Sequence, residues 1–224
     1  MRVIDKGGGR AGASAQVRKL RAPRGKPRSA VGLATVAATI PGSVDAPGLS
    51  PAAAAARAQE AISMLSIRKA ISADEDKLWQ ILEPVIRAGE TYDLPREMSR
   101  GEALLDWLAP ANQCFVACDG DRLLGTYVMH PNRHGGGSHV ANCGYMTAND
   151  ANGRGVARAM CAHSLDAARA AGFRAMQFNF VIASNHRAVK LWHGMGFETV
   201  GRVPEAFLHP VHGYTDALVM YQRL

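Results

Sequence analysis

Residues 152–157 read Asn-Gly-Arg-Gly-Val-Ala and stand between an apolar stretch, Ala141–Thr147, and a helix-like run, Val156–Ala171. A glycine-bearing turn that closes a strand and opens a helix limits the fold to strand–helix units layered around a sheet. It also limits what the turn can hold. First-turn N–H groups have no partner inside the helix, and the helix dipole adds roughly half a positive charge there, so a pyrophosphate fits. Gly153 and Gly155 carry no Cβ to keep phosphates off the backbone, and Arg154 and Arg158 add charge at the rim. A second pattern follows about thirty residues on: Asn185-His-Arg-Ala188-Val-Lys-Leu191-Trp192-His-Gly-Met-Gly196-Phe197.

Two other phosphate-binding turns are excluded. A dinucleotide fingerprint needs a third glycine where Arg158 stands, and an acidic residue about twenty positions on, where the chain has Gln177-Phe178-Asn179. A Walker A loop needs Gly-Lys-Ser/Thr, which is absent. An ordinary strand–helix turn, with glycines for geometry alone, also satisfies the first pattern. The second pattern weighs against it.

The body around these patterns alternates strands and helices. Leu65–Lys69 reads as a first strand, and Ser72-Ala-Asp-Glu75 as a capping box for a helix through about Ala88. Gly89–Met98 is a polar loop and Ser99–Leu108 a short helix. Cys114–Cys118 and Leu123–Met129 form a hairpin about Asp119-Gly120-Asp121. Gly135–Gly137 breaks the chain before a fourth strand, Ser138–Thr147. Gly172 caps the helix Val156–Ala171. Arg174–Ile182 alternates Met176, Phe178 and Phe180 with Gln177 and Asn179, predicting a strand with one buried face. A helix over Asn185–Met195, a sixth strand after Gly196-Phe197 and a last one over Asp216–Tyr221 complete an α/β layer around a mixed sheet.

Charge divides the chain. Residues 1–63 hold ten Lys/Arg against Asp5, Asp45 and Glu60, and carry the whole formal charge of +7; residues 64–224 are neutral. With Gly7-Gly-Gly9, the basic run Arg18–Arg28, an Ala-rich stretch and no aromatic residue, 1–63 predicts a disordered extension ahead of a domain over 64–224. An Arg-rich, acid-poor leader also fits an organellar transit peptide. Nucleic-acid binding is not expected, because no aromatic residue stands among those charges for stacking. No stretch approaches the ~18–20 apolar residues of a membrane span. Cys114, Cys118, Cys143 and Cys161 show no CxxC pairing and read as free thiols in a reducing compartment, the cytoplasm. His130, His134 and His139 are spaced irregularly around glycines, so a metal site is not expected.

The two patterns resemble those of the GCN5-related N-acetyltransferase family. Its glycine turn, Gln/Arg-x-x-Gly-x-Gly/Ala, is matched by Asn152-x-x-Gly155-x-Ala157 except at the first position. Its later segment is matched at Asn185, Ala188, Gly196 and Phe197, with Trp192 where many members have tyrosine. Asn142-x-Gly144-Tyr145, Phe178-Asn179-Phe180-Val181, Ser184-Asn185 and Gly201-Arg202-Val203 are further similar to the fungal acetyltransferases of L-azetidine-2-carboxylate and related proline analogues.

The resemblance implies a mixed, mostly antiparallel central sheet with helices on both faces and a splayed pair of central strands. Acetyl-CoA is then the co-substrate, held by Tyr145, Met146, Thr147, Asn152, Gly153, Arg154, Gly155, Val156, Ala157, Asn185 and Trp192. Asn142 and Asn179 are the implied catalytic residues, and a homodimer is an implied assembly. The implied reaction is direct attack of a small primary or secondary amine on the thioester. Acetylation of protein or antibiotic amines, and a non-catalytic acyl-CoA-binding module, are the alternatives. An indole N–H cannot protonate a leaving thiolate as a tyrosine hydroxyl can. No acid lies in the two strands that would flank the amine, so a water chain through Asn142, His139 or a C-terminal group is the expected proton path.

Overall fold

The computed structural model describes residues 65–224. The extension expected over 1–63 lies outside the described residues. Seven strands form one sheet: β1 (Ser66–Lys69), β2 (Gln113–Asp119), β3 (Arg122–Pro131), β4 (Val140–Thr147), β5 (Ala175–Ile182), β6 (Glu198–His209) and β7 (Gly213–Arg223). Their spatial order is β1-β2-β3-β4-β5-β7-β6. All neighbours are antiparallel except β4 and β5, whose connection carries a helix and makes the pair parallel. The helices are α1 (Glu75–Ala88), α2 (Arg100–Trp107), α3 (Val156–Ala170) and α4 (His186–Gly194). The element order matches the sequence expectation throughout.

Each sheet face carries its own core. Leu78, Ile81, Leu82 and Ile86 of α1 and Leu104 and Trp107 of α2 pack on Val116, Val128 and Met146. Met160, Cys161 and Leu165 of α3 and Trp192 of α4 pack on Phe115, Tyr127, Cys143, Met176 and Phe178 of the other face. Strand parity does this: successive side chains alternate faces, so Met146 and Cys143 go to opposite cores. Cys114 and Cys118 share a face, as expected from their separation, and all four thiols are free.

Two local expectations change. The predicted capping box gives way to Asp74, whose carboxylate accepts from the Ile71 N–H (2.9 Å) and the Arg68 guanidinium (2.6 and 2.8 Å). A single turn of 3-10 helix, Ser72–Asp74, precedes α1 as a result. The alternation of β5 stops at a bulge between Phe178 and Val181, so Phe180 leaves the core and is half-buried, edge-on to Phe207. An extra residue in one strand shifts the following side chains out of phase. That shift places Asn179.

Candidate active site

The parallel pair β4–β5 is in register only at Val140/Ala175 and Ala141/Met176. Beyond those pairs β5 pairs with β7, β4 stays with β3, and the two strands part. The gap is the floor of a cavity of about 950 Å³ lined by Asn142–Thr147 of β4, Phe178–Ile182 of β5, the turn before α3 and the loop after α1.

Backbone alternation sets which groups face the gap. Ala148 N–H bonds to Leu124 C=O (2.9 Å) and Asn132 N–H to Val140 C=O (2.7 Å) at the two ends of the β3–β4 ladder. Between those anchors the N–H and C=O groups of Asn142, Gly144 and Met146 point to β3. Those of Cys143, Tyr145 and Thr147 point to the gap. Met146 therefore offers the cavity no free backbone group, and its side chain is buried against α1 and α2. Tyr145 C=O already accepts from the Tyr92 hydroxyl (2.9 Å). Gly144 makes room for this: a Cβ there would come within 3.2 Å of the Tyr92 oxygen.

At one end of the cavity lies the glycine turn. Gly153 and Gly155 both adopt φ of +80°, the left-handed conformation that glycine takes without strain. Gly155 is the N-cap of α3 and supplies no side chain to satisfy the helix start. The N–H groups of Val156, Ala157 and Arg158 precede the first helical bond, Ala159 N–H to Gly155 C=O (3.0 Å), and open onto the cavity. These donors suit an anionic diphosphate. Arg158 and Arg187 line the same end. Arg154 does not: it is turned to Asp119, 3.5 Å away. Asn152 lines the end and donates to Asn149 C=O (3.0 Å).

The middle is aromatic. Trp192 packs against Tyr145 and Phe178, each with ring centroids 5.0 Å away. The Tyr145 hydroxyl is bonded to Ser164 (2.7 Å), and burial holds it well above its ordinary titration range. Cys143 lines the gap, but burial pushes its thiol up to about 12, so it stays protonated at neutral pH and is no nucleophile. Asn185 lines the cavity and also caps α4, its Oδ1 accepting from Ala188 N–H (3.1 Å).

The other end joins four amides. Asn132 Oδ1 accepts from Asn142 Nδ2 (3.3 Å) and from Asn179 Nδ2 (2.6 Å), and Gln177 Nε2 donates to Asn179 Oδ1 (2.8 Å). Asn132 thus bridges β4 to β5 just where their backbone pairing stops. Its position in the loop 132–139 gave no spacing signal in the sequence. Glu90, Tyr92, Asp93 and His130 complete this end. His139 does not line the cavity; its C=O accepts from Arg174 N–H (2.9 Å) at the closed end of the β4–β5 pair. Leu224 N–H donates to Arg174 C=O (3.1 Å) at the same closed end. Among the described residues no three potential ligands gather for a metal.

This geometry has known counterparts. The sequence profile of the Acetyltransferase (GNAT) family matches residues 76–197, which contain both β4 and β5, the glycine turn and α4. The chain belongs to that family. It is 28% identical over 151 residues to the N-acetyltransferase aca1 of Schizosaccharomyces pombe, covering 60% of this chain and 72% of that protein. A GCN5-related N-acetyltransferase from Kribbella flavida is 43% identical, with a TM-score of 0.70 over 72% of this chain and 99% of its own. A phosphinothricin acetyltransferase from Sinorhizobium meliloti, solved in complex with acetyl-CoA, shares the fold at 18% identity, with a TM-score of 0.63 over 72% of this chain and 89% of its own. The mixed GNAT sheet is therefore the fold and N-acetyl transfer the activity class.

Proposed function

We propose that the chain transfers the acetyl group of acetyl-CoA to the nitrogen of a small-molecule primary or secondary amine, by direct attack on the thioester. The observation that carries this reading is the gap between β4 and β5, with an uncapped helix start at one end and an amide cluster at the other. In this reading the N–H groups of Gly153, Gly155, Val156, Ala157 and Arg158, with the Arg158 and Arg187 side chains, hold the pyrophosphate. The Tyr145 and Thr147 backbone holds the pantetheine arm. A free N–H of β4 meets the thioester oxygen as its charge grows, which a preorganised donor stabilises more than the ground state. Trp192 offers its indole N–H as a hydrogen-bond donor to the leaving sulfur and does not protonate it.

Asn142 and Asn179, joined through Asn132, orient the acceptor. Amides give donors to a carboxylate and acceptors to an ammonium, which favours a compact zwitterion of the azetidine-2-carboxylate or proline-analogue class. Holding the two reactants in one cleft supplies most of the rate. Exposed Glu90 and Asp93 at the same end favour a cationic amine as the second reading. The reading places the enzyme in the cytoplasm as a homodimer, with its catalytic domain over 64–224.

Thiol release from acetyl-CoA by the full chain, against azetidine-2-carboxylate, proline analogues, spermidine and an aminoglycoside, tests this. Turnover confined to the zwitterionic amines is expected. Turnover confined to the polyamine or aminoglycoside would move the reading to cationic amines, and binding of acetyl-CoA with no turnover would replace it with a non-catalytic module.

A further inference from the structure

One imidazole lines the cavity among the described residues: His130. It stands near the end of β3 directly opposite Asn142 on β4. Both share the strand parity of Val128 and Met146, which pack toward α1 and α2, so both side chains are on that face, beside the loop that follows α1. Facing Cα atoms in such a pair are about 5.5 Å apart, which makes the two side chains immediate neighbours.

The surrounding backbone sets the tautomer of this ring. His130 Nδ1 lies 3.0 Å from Pro131 C=O. A carbonyl oxygen only accepts, so the neutral ring carries its proton on Nδ1 and keeps a lone pair on Nε2. Nε2 meets no hydrogen-bond partner among the described residues, and it is not one of the side-chain atoms sealed from solvent without a partner. The lone pair is therefore reachable by solvent, on a residue that lines the cavity.

The other groups there are unsuited to take a proton from an ammonium. Asn132, Asn142 and Asn179 are amides with no basic atom. Burial holds the Tyr92 and Tyr145 hydroxyls and the Cys143 thiol protonated. Arg158 and Arg187, from α3 and α4, are permanently cationic. Glu90 and Asp93, on the loop after α1, are exposed carboxylates, intrinsically weaker bases than an imidazole. Arg133 and His134, just beyond β3, are exposed and outside the cavity lining.

We propose that His130, through Nε2, is the base that removes the proton from the acceptor ammonium; this rests on the amine-acetylation reading above. The freed nitrogen forms the C–N bond to the thioester carbon, the C–S bond breaks, and its electron pair leaves on the CoA sulfur. Of the two protons the nitrogen gives up, one sits on Nε2 until it passes to water. The other neutralises the sulfur through solvent.

H130Q keeps a polar side chain and removes the base. With acetyl-CoA and azetidine-2-carboxylate, or the best amine of the panel, its kcat/KM is expected to fall about 10²-fold at neutral pH. The deficit should shrink toward pH 9.5, where solution supplies free amine. Calorimetric binding of acetyl-CoA should be unchanged, which separates loss of the base from loss of the fold. A deficit under about twofold, or one constant with pH, would overturn the assignment while leaving the amine reading intact. Wild-type failure on every amine would overturn both. A long-range ¹H–¹⁵N spectrum of the full chain, assigned against H130Q, gives a readout free of any acceptor: the Nδ1–H tautomer is expected, and an Nε2–H tautomer overturns the proposal.

Discussion

Asn132 ties β4 to β5 where they part, as does the Tyr145 hydroxyl, 3.7 Å from Met176 Sδ. The Asn132 Oδ1 takes one N–H from Asn142 and one from Asn179, so it decides how both amides present their remaining atoms to the cavity. In N132A those two donors lose their acceptor while the glycine turn at the far end is untouched. The expected result is a rise of roughly tenfold in KM for the amine, about 1.4 kcal/mol, with acetyl-CoA affinity unaltered by calorimetry. Equal weakening of both would make Asn132 a structural clamp for the whole cleft. Asn142, Asn179 and Trp192 were legible as cavity residues because they stand in or near recognisable patterns. Asn132 and His130 were not, since both reach the site through the β3–β4 register and a turn containing Gly135–Gly137, which no one-dimensional spacing records. Arg154 was read onto the wrong partner for a related reason: the nearby Asp119 belongs to a hairpin thirty-five positions away.

At the scale of elements, α3 begins without a side-chain cap, and the cavity lies where the cap would be. Alanine at Gly155 would have to hold φ near +80°, at a cost of roughly 1–2 kcal/mol. G155A is therefore expected to lower the melting temperature by a few degrees and to weaken acetyl-CoA at least tenfold. A stability loss with full acetyl-CoA affinity would remove the helix start from the binding site. The same helix carries His163, whose Nδ1 is 2.7 Å from the Tyr127 hydroxyl. Burial depresses its pKa below the ordinary 6.5, with Asp166 opposing weakly. The folded chain then binds fewer protons than the unfolded chain just below pH 6.5, so stability falls as pH drops through that value toward the depressed one. Urea midpoints at pH 7.5 and 5.0 should differ more in the wild type than in H163Q; an equal difference would show that other groups carry the acid sensitivity. The order of elements was readable because helical and strand periods alternate cleanly along 65–224. The bulge in β5 was not, because Phe178 and Phe180 keep the period of two across it and only the pairing with β7 reveals the extra residue.

For the whole molecule, the sheet ends on a long edge strand. β6 leaves Val200, Val203 and Leu208 exposed, and Tyr214 of β7 adds to them. Among the described residues nothing pairs with this edge, and apolar side chains on such an edge invite a second copy. Sedimentation of the full chain should give the mass of a dimer, and V203K with L208K should shift it to a monomer; a monomeric wild type would contradict the assembly. No helix among the described residues is long and apolar enough to cross a membrane. The central expectation for this molecule is acetyl-CoA seated between β4 and β5. A crystal structure of the full chain grown with acetyl-CoA tests it most directly. The expected density has the pyrophosphate on the N–H groups before α3 and the thioester in the gap between Tyr145 and Asn179. Acetyl-CoA bound anywhere else, with the Tyr92 hydroxyl still on Tyr145 C=O and the gap empty, would contradict it.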